Sequence, residues 1–212
     1  VNGVRSPKSR NAASTGLLCY SDFVIEQKKN GVYTIIEAAA KEVFFLLRED
    51  IVSLSLAQYF AELAYELSVR EEEADEFLRL LLNAIYFVAQ NKRNKALIKA
   101  ATELRFLSLA GYMPSVIGCA NCGKFESGTM YFSPYSGKLF CSDCIPEEKT
   151  VALPLGVVTA MRHICLSEPE KVFSFTLSKP SLELLSDVSE RYLKNITMRK
   201  YKTLDFYKSI TE

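Results

Sequence analysis

The chain has no tryptophan and a single histidine, His163. That scarcity excludes much catalysis, because a Ser-His-Asp or Cys-His set needs an imidazole brought to its nucleophile. His163 is flanked by Met161, Arg162 and Ile164, and the reading for it is an ordinary surface or core residue. The GxxxxGK[ST] phosphate loop and the GxGxxG fingerprint are both missing, and no enzyme activity is expected. Charge of one sign is lacking too. Lys and Arg number 26 against 25 Asp and Glu, a net charge of +1, so any nucleic-acid site must be a local patch. No apolar run approaches the ~18 residues of a membrane-spanning helix; the greasiest stretch, 77–89, is broken by Arg79 and Asn83. Residues 1–10 have none of the apolar character of a secretory signal. The chain opens on Val1 in what reads as mid-strand, and an N-terminal piece is expected to precede it.

What is present is ordinary for a globular protein: 49% hydrophobic and 24% charged residues in a chain of 212. Residues 1–40 read as β structure. Leu17–Gln27 and Val32–Ile36 are strand-like, and Lys28-Lys29-Asn30-Gly31 between them predicts a hairpin, since Asn-Gly accepts the positive φ of a type I′ turn. Helical periodicity follows. Leu56, Tyr59, Phe60, Leu63, Ala64 and Leu67 form one stripe. Phe77, Leu80, Leu81, Ala84, Ile85 and Val88 form a second, over 75–91. A third helix, over 94–110, carries Leu97, Ala101, Leu104 and Leu107, with Gly111 as its cap and Pro114 beyond. Helices are also expected over 154–166 and 180–195, with extended chain at 172–177 between them.

Six cysteines, four of them in two CxxC pairs, fit a reducing compartment better than a disulfide scaffold, and the protein is expected in the cytoplasm. The spacing Cys119-x2-Cys122, eighteen residues, Cys141-x2-Cys144 is that of a four-cysteine zinc site. Each CxxC aims two sulfurs at one point, and two such turns supply a tetrahedron. Residues 130–132 and 139–140 around Pro134-Tyr135-Ser136-Gly137 read as strand, turn, strand, a zinc-ribbon hairpin. Four thiolates close the shell, so one structural zinc is expected. Cys19, in a strand, and Cys165, on a helix, read as small buried hydrophobes.

Two stretches are locally basic. Arg5, Lys8 and Arg10 sit in an early loop, and Lys28 and Lys29 at the hairpin tip could assist them. Near the C-terminus Arg191, Lys194, Arg199, Lys200 and Lys202 run without an intervening acid, with Tyr192 and Tyr201 interleaved. Such residues can neutralise phosphates and stack on bases, or form a solvated helix face. The acidic run Glu71-Glu72-Glu73-Ala74-Asp75-Glu76 suits a helix N-terminus.

Taken in order, these pieces resemble the RecO family of bacterial recombination mediators. The likeness rests on Gly3-Val4-Arg5-Ser6-Pro7-Lys8-Ser9-Arg10; on Glu103 through Pro114 running into Cys119-Ala120-Asn121-Cys122-Gly123; and on Arg199-Lys200-Tyr201-Lys202-Thr203-Leu204, where the family usually has Lys-Ser. The resemblance implies an α+β, mainly α fold: the C-terminal part of an OB-fold at 1–42, a helical domain at 43–115 and 149–212, and a four-cysteine zinc insert at 116–148. It implies binding of single- and double-stranded DNA, strand annealing, and, with RecR, loading of RecA onto DNA coated by single-strand-binding protein. That protein's acidic, apolar tail would dock on the helical domain, for which Lys95, Lys99 and Arg105 are candidates. The alternative is a zinc-containing helical interaction adaptor without intrinsic DNA activity.

Overall fold

The computed structural model describes residues 11–68 and 74–211. The chain is mainly helical, with an antiparallel hairpin at its N-terminal end and a small sheet inserted between helices. The hairpin pairs β1 (Cys19–Gln27) with β2 (Tyr33–Val43). The chain reverses where Asn-Gly predicts, but not through the expected type I′ turn: Asn30 keeps a negative φ, the Gly31 N–H donates to the Lys28 carbonyl at 2.8 Å, and Gly31 alone of the pair is left-handed, at φ 78°. β2 continues past Ile36 because Ala38, Ala39 and Ala40 pair with Phe23, Asp22 and Ser21, so the ladder overrides alanine's weak β preference. These two strands lie where the resemblance implies an OB-fold. Phe23, Val24, Ile25, Tyr33 and Ile36 are exposed on them, since two strands alone cannot cover both faces.

The helices form for local reasons and assemble for global ones. In α1 (Ile51–Leu67) the Asp50 carboxylate caps the first turn, accepting from the backbone N–H of Val52 at 3.0 Å and of Ser53 at 3.2 Å. Asp75 and Glu76 lie in the first turn of α2 (Ala74–Gln90), as the helix dipole favours; Glu71, Glu72 and Glu73 lie outside the described residues. Asn94 caps α3 (Lys95–Leu109), and beyond its end the Tyr112 N–H bonds back to the Leu107 carbonyl at 2.8 Å around Gly111. Two further expected helices follow, α4 (Leu155–Leu166) and α5 (Lys179–Thr197). A last helix, α6 (Lys202–Ser209), was not expected: it spans two turns and buries only Leu204, too little for a period to show. Residues 172–177 form no strand. They follow a 3-10 turn as irregular chain, and Val172 and Phe173 plug the core.

α3 is the central element, with α1, α2, α4 and α5 packed around it. Its expected apolar stripe is buried, and so are Lys99 and Glu103. The Glu103 carboxylate accepts from Tyr59 of α1 at 2.7 Å and Ser189 of α5 at 2.6 Å, and pairs with Lys99 at 2.9 Å. Lys99 also pairs with Glu190 of α5 at 3.0 Å, and Glu190 holds Lys194 at 2.8 Å and Lys208 of α6 at 3.1 Å. Burial alone would depress the Lys99 ammonium; Glu103 and Glu190 outweigh it and hold the value above the ordinary one. Burial likewise raises the Glu190 carboxyl, but Lys99, Lys194 and Lys208 together pull it down to about 2.

A carboxylate with a depressed folded pKa stabilises above its unfolded value, near 4.5, and loses that contribution as pH falls towards 2. Between those limits the thermal midpoint of the native protein should therefore fall further than that of Glu190→Gln; parallel pH profiles would refute the linkage. Removing one partner of a buried pair costs about 3–5 kcal/mol. Urea unfolding of Lys99→Met should show a loss of that size.

Candidate functional site

The insert between α3 and α4 is a four-stranded sheet in the order β3-β5-β4-β6: β3 (Ser115–Cys119), β4 (Thr129–Ser133), β5 (Lys138–Cys141) and β6 (Val151–Pro154). β4 and β5 are the expected hairpin, with Phe132 opposite Leu139. β3, parallel to β5, and β6, antiparallel to β4, were not expected, because four or five residues are too few to display alternation. The sheet runs beyond residue 148 to Pro154, from which α4 starts directly.

Cys119 ends β3, and the first knuckle closes through hydrogen bonds of 2.9 Å from the Cys119 N–H to the Lys124 carbonyl and from the Gly123 N–H to the Cys119 carbonyl. Cys141 ends β5, and Cys144 closes the 3-10 turn that follows. The four sulfurs all lie within 4.8 Å of one another, with Cys122 Sγ and Cys141 Sγ 3.7 Å apart. A tetrahedral ion with thiolate bonds of ~2.3 Å sets its sulfurs ~3.8 Å apart, so the residues fit a metal ion. Without a cation their acidities diverge. Burial opposes the Cys119 thiolate, but the N–H groups of Cys122, Cys141 and Asn121 outweigh it and bring the thiol down to about 6. Hydrogen bonds that the Cys144 thiol donates to Cys141 and Cys122, then burial, push Cys144 up to about 12. Four adjacent thiolates repel one another, and a cation among them removes that conflict.

The ribbon is fastened to the helices at two places. Arg162 of α4 is buried, donating through Nε to the Val116 carbonyl at 2.8 Å and through Nη2 to the Ile117 carbonyl at 2.8 Å and the Phe125 carbonyl at 2.5 Å. Its guanidinium lies 3.9 Å from the centroid of the Phe125 ring. At the far turn Gly137 has φ 67°, and a Cβ there would meet Tyr192 at 2.8 Å, so only glycine fits. Tyr192 packs edge-on against Phe132 and donates to the Tyr112 carbonyl at 2.9 Å.

The basic candidates fare differently. Arg5, Lys8 and Arg10 lie outside the described residues. Lys28 and Lys29 are exposed at the hairpin tip. Arg191 and Lys194 stand on α5, paired with Asp187 at 2.9 Å and Glu190 at 2.8 Å. Arg199 pairs with Glu66 of α1 at 2.8 Å, while Lys200 and Lys202 are exposed and enter no ion pair among the described residues. Tyr192 and Tyr201, expected as possible stacking faces, are core residues instead: both are buried, Tyr201 edge-on to Tyr59. Thr203, where the family usually has Ser, donates its hydroxyl to Glu62, a bond that either residue can make.

Lys95, Lys99 and Arg105 are not brought together. Lys95 pairs with Asp50 at 3.3 Å. Lys99 is buried and spent on Glu103 and Glu190, so it cannot greet an incoming carboxylate. Arg105 caps α4, donating to the Cys165 carbonyl at 2.6 Å. Spacing along the helix could not reveal this, because which face is buried depends on the neighbours α3 acquires. Cys165 is buried, with its thiol pushed up to about 11 by burial, whereas Cys19 is only half-buried. His163 is half-buried too: its Nε2 lies 2.7 Å from the Lys171 carbonyl and its ring packs on Phe175.

Fold and site together define a class: a helical domain headed by a β-hairpin and interrupted by a small sheet whose four cysteines lie close enough to hold a metal ion. The sequence profile described as "Recombination protein O C terminal" matches residues 48–205. "DNA repair protein RecO" of Acetivibrio thermocellus is 34% identical over 211 residues, 99% of this chain and 84% of that protein. The proteins of that name from Caldicellulosiruptor saccharolyticus and Alkaliphilus metalliredigens are 27% and 25% identical over 91% and 99% of the chain, covering 78% and 86% of their own lengths. The chain belongs to the RecO family of DNA repair proteins.

Replacing Cys119 with Ser removes one corner of the tetrahedron. The variant should purify with less than one metal ion per chain by atomic emission and with a lower thermal midpoint, as should the native protein after strong chelation. Full metal content and unchanged melting in Cys119→Ser would refute the site.

Proposed function

We propose that this protein is a recombinational repair mediator. It binds single- and double-stranded DNA, anneals complementary strands, and with RecR helps load RecA onto DNA coated by single-strand-binding protein. The observation that carries this reading is the likeness to a DNA repair protein RecO along 99% of the chain. Exposed cations at the hairpin tip and on the C-terminal segment support it, since annealing requires two polyanions to approach. The mediator acts by binding and catalyses no covalent step; the one imidazole is engaged at a backbone carbonyl. The metal is zinc, which a closed tetrahedral shell of four thiolates suits, and it serves the fold, contributing on the order of 10–16 kcal/mol. The protein works in the cytoplasm, which suits a relative of proteins named for DNA repair. No helix among the described residues is long and apolar enough to cross a membrane.

The acidic, apolar tail of single-strand-binding protein needs cations beside apolar surface. Near the start of α3, Lys92, Arg93 and Lys179 flank Leu97 and Phe175 around a cleft of about 440 Å³, a better match than Lys95, Lys99 and Arg105.

Complementary labelled oligonucleotides should anneal faster with the protein than without it. The logarithm of DNA affinity should fall linearly with the logarithm of salt concentration, and neutralising Arg5, Lys8 and Arg10 should flatten that slope by about one unit per residue. An unchanged slope would remove the early loop from the interface. Absence of DNA binding at low salt would favour an interaction adaptor instead.

A further inference from the structure

A second feature lies at the seam between the metal ribbon and α5. There a cleft of about 560 Å³ opens between the two, with Tyr135 and Lys149 on the ribbon side and Arg191, Lys194, Asn195 and Met198 on the helix. Three cations line it and no carboxylate does. Asp187 holds Arg191 from the helix, Glu190 holds Lys194 while shared with Lys99 and Lys208, and the Glu148 carboxylate is engaged by the Ser136 hydroxyl at 2.7 Å, so the positive balance at the cleft rests chiefly on Lys149. Lys149 enters no ion pair among the described residues.

The apolar groups here are displayed. Tyr135 is 57% exposed, and its backbone is fixed by a 2.9 Å hydrogen bond from the Asn195 amide to its carbonyl. Met198 ends α5 in the left-handed conformation, φ 51° and ψ 30°, where glycine is usual, and is 84% exposed. A strained residue holding a large apolar side chain over a cationic cleft points to a ligand with both an anionic and a flat apolar part.

We propose that this seam holds one nucleotide of a single strand, its phosphate against Lys149, Arg191 and Lys194 and its base against Tyr135 and Met198. The proposal rests on the DNA-binding reading above and makes it specific. A base can enter a concave seam only after leaving its stack and its partner, so the cleft favours single strands, whereas surface cations serve both forms.

The test uses the full chain with its metal. Tyr135→Ala and Lys149→Ala should each weaken binding of a fluorescent oligo(dT) about five- to tenfold, while duplex affinity stays within twofold and Tyr135→Phe keeps the native value. An oligonucleotide carrying 5-iodouracil should cross-link to Tyr135 or Met198 in the unsubstituted protein, which decides the matter even if a variant misfolds. Equal losses on single strand and duplex, or cross-links only elsewhere, would overturn the cleft assignment and leave the general DNA reading standing. Failure of the native protein to bind either form would overturn both. Protection of Tyr135 by an acidic, apolar peptide but not by DNA would make the cleft a peptide site and end the proposal.

Discussion

Glu103 has no solvent-exposed surface, and three helices meet on its carboxylate: Tyr59 from α1, Lys99 from α3 itself and Ser189 from α5. Lys99 extends the chain of charge to Glu190, which brings in α6 through Lys208. An ion pair in such a place gains little over apolar packing, because desolvation offsets most of the attraction. What it supplies is intolerance of error. A slip of α5 by one turn would strand a buried carboxylate or ammonium without its partner, at a cost that no nearby apolar contact offsets. The packing of α1, α3, α5 and α6 is thereby held to one register.

That register decides where the four-cysteine ribbon sits. The ribbon is small; its apolar residues Met130, Phe132 and Leu139 are buried, and α4 and α5 pack against its strands, Tyr192 of α5 meeting Phe132 edge-on. Arg162 grips the first knuckle through three backbone carbonyls, and Tyr192 grips the far turn at Gly137. Tyr192 stands on α5 three residues beyond Ser189, so the helix that satisfies Glu103 also docks the ribbon. Cysteine knuckle, helix and buried carboxylate form one mechanical series, and the cationic seam lies along it.

Much of this was legible from local signals. Two CxxC pairs eighteen residues apart bring four sulfurs within 4.8 Å of one another, because each turn aims its own pair at one point. Asn30-Gly31 encodes the hairpin, and the apolar periods of 51–67, 74–90 and 95–109 encode helices, since each is a property of neighbours in the chain. The short strands β3 and β6 and the two-turn α6 were not legible, because each is stabilised by a partner distant in sequence: β5, β4 and α1.

The sequence by itself determined most element types, the clustering of the four cysteines and the family, all of which rest on residue identity at short spacing. Only the tertiary structure decided which charged and aromatic residues face water. Lys99 looked like a surface cation, and Tyr192 and Tyr201 like stacking platforms, yet all three are interior. Tyr135, in the sequence merely one residue of a turn, is the aromatic left in the open beside Lys149 and Arg191. The physical reason is that burial is a property of packing: a side chain's exposure is set by whichever helices arrive on its face, and no local pattern states which those will be.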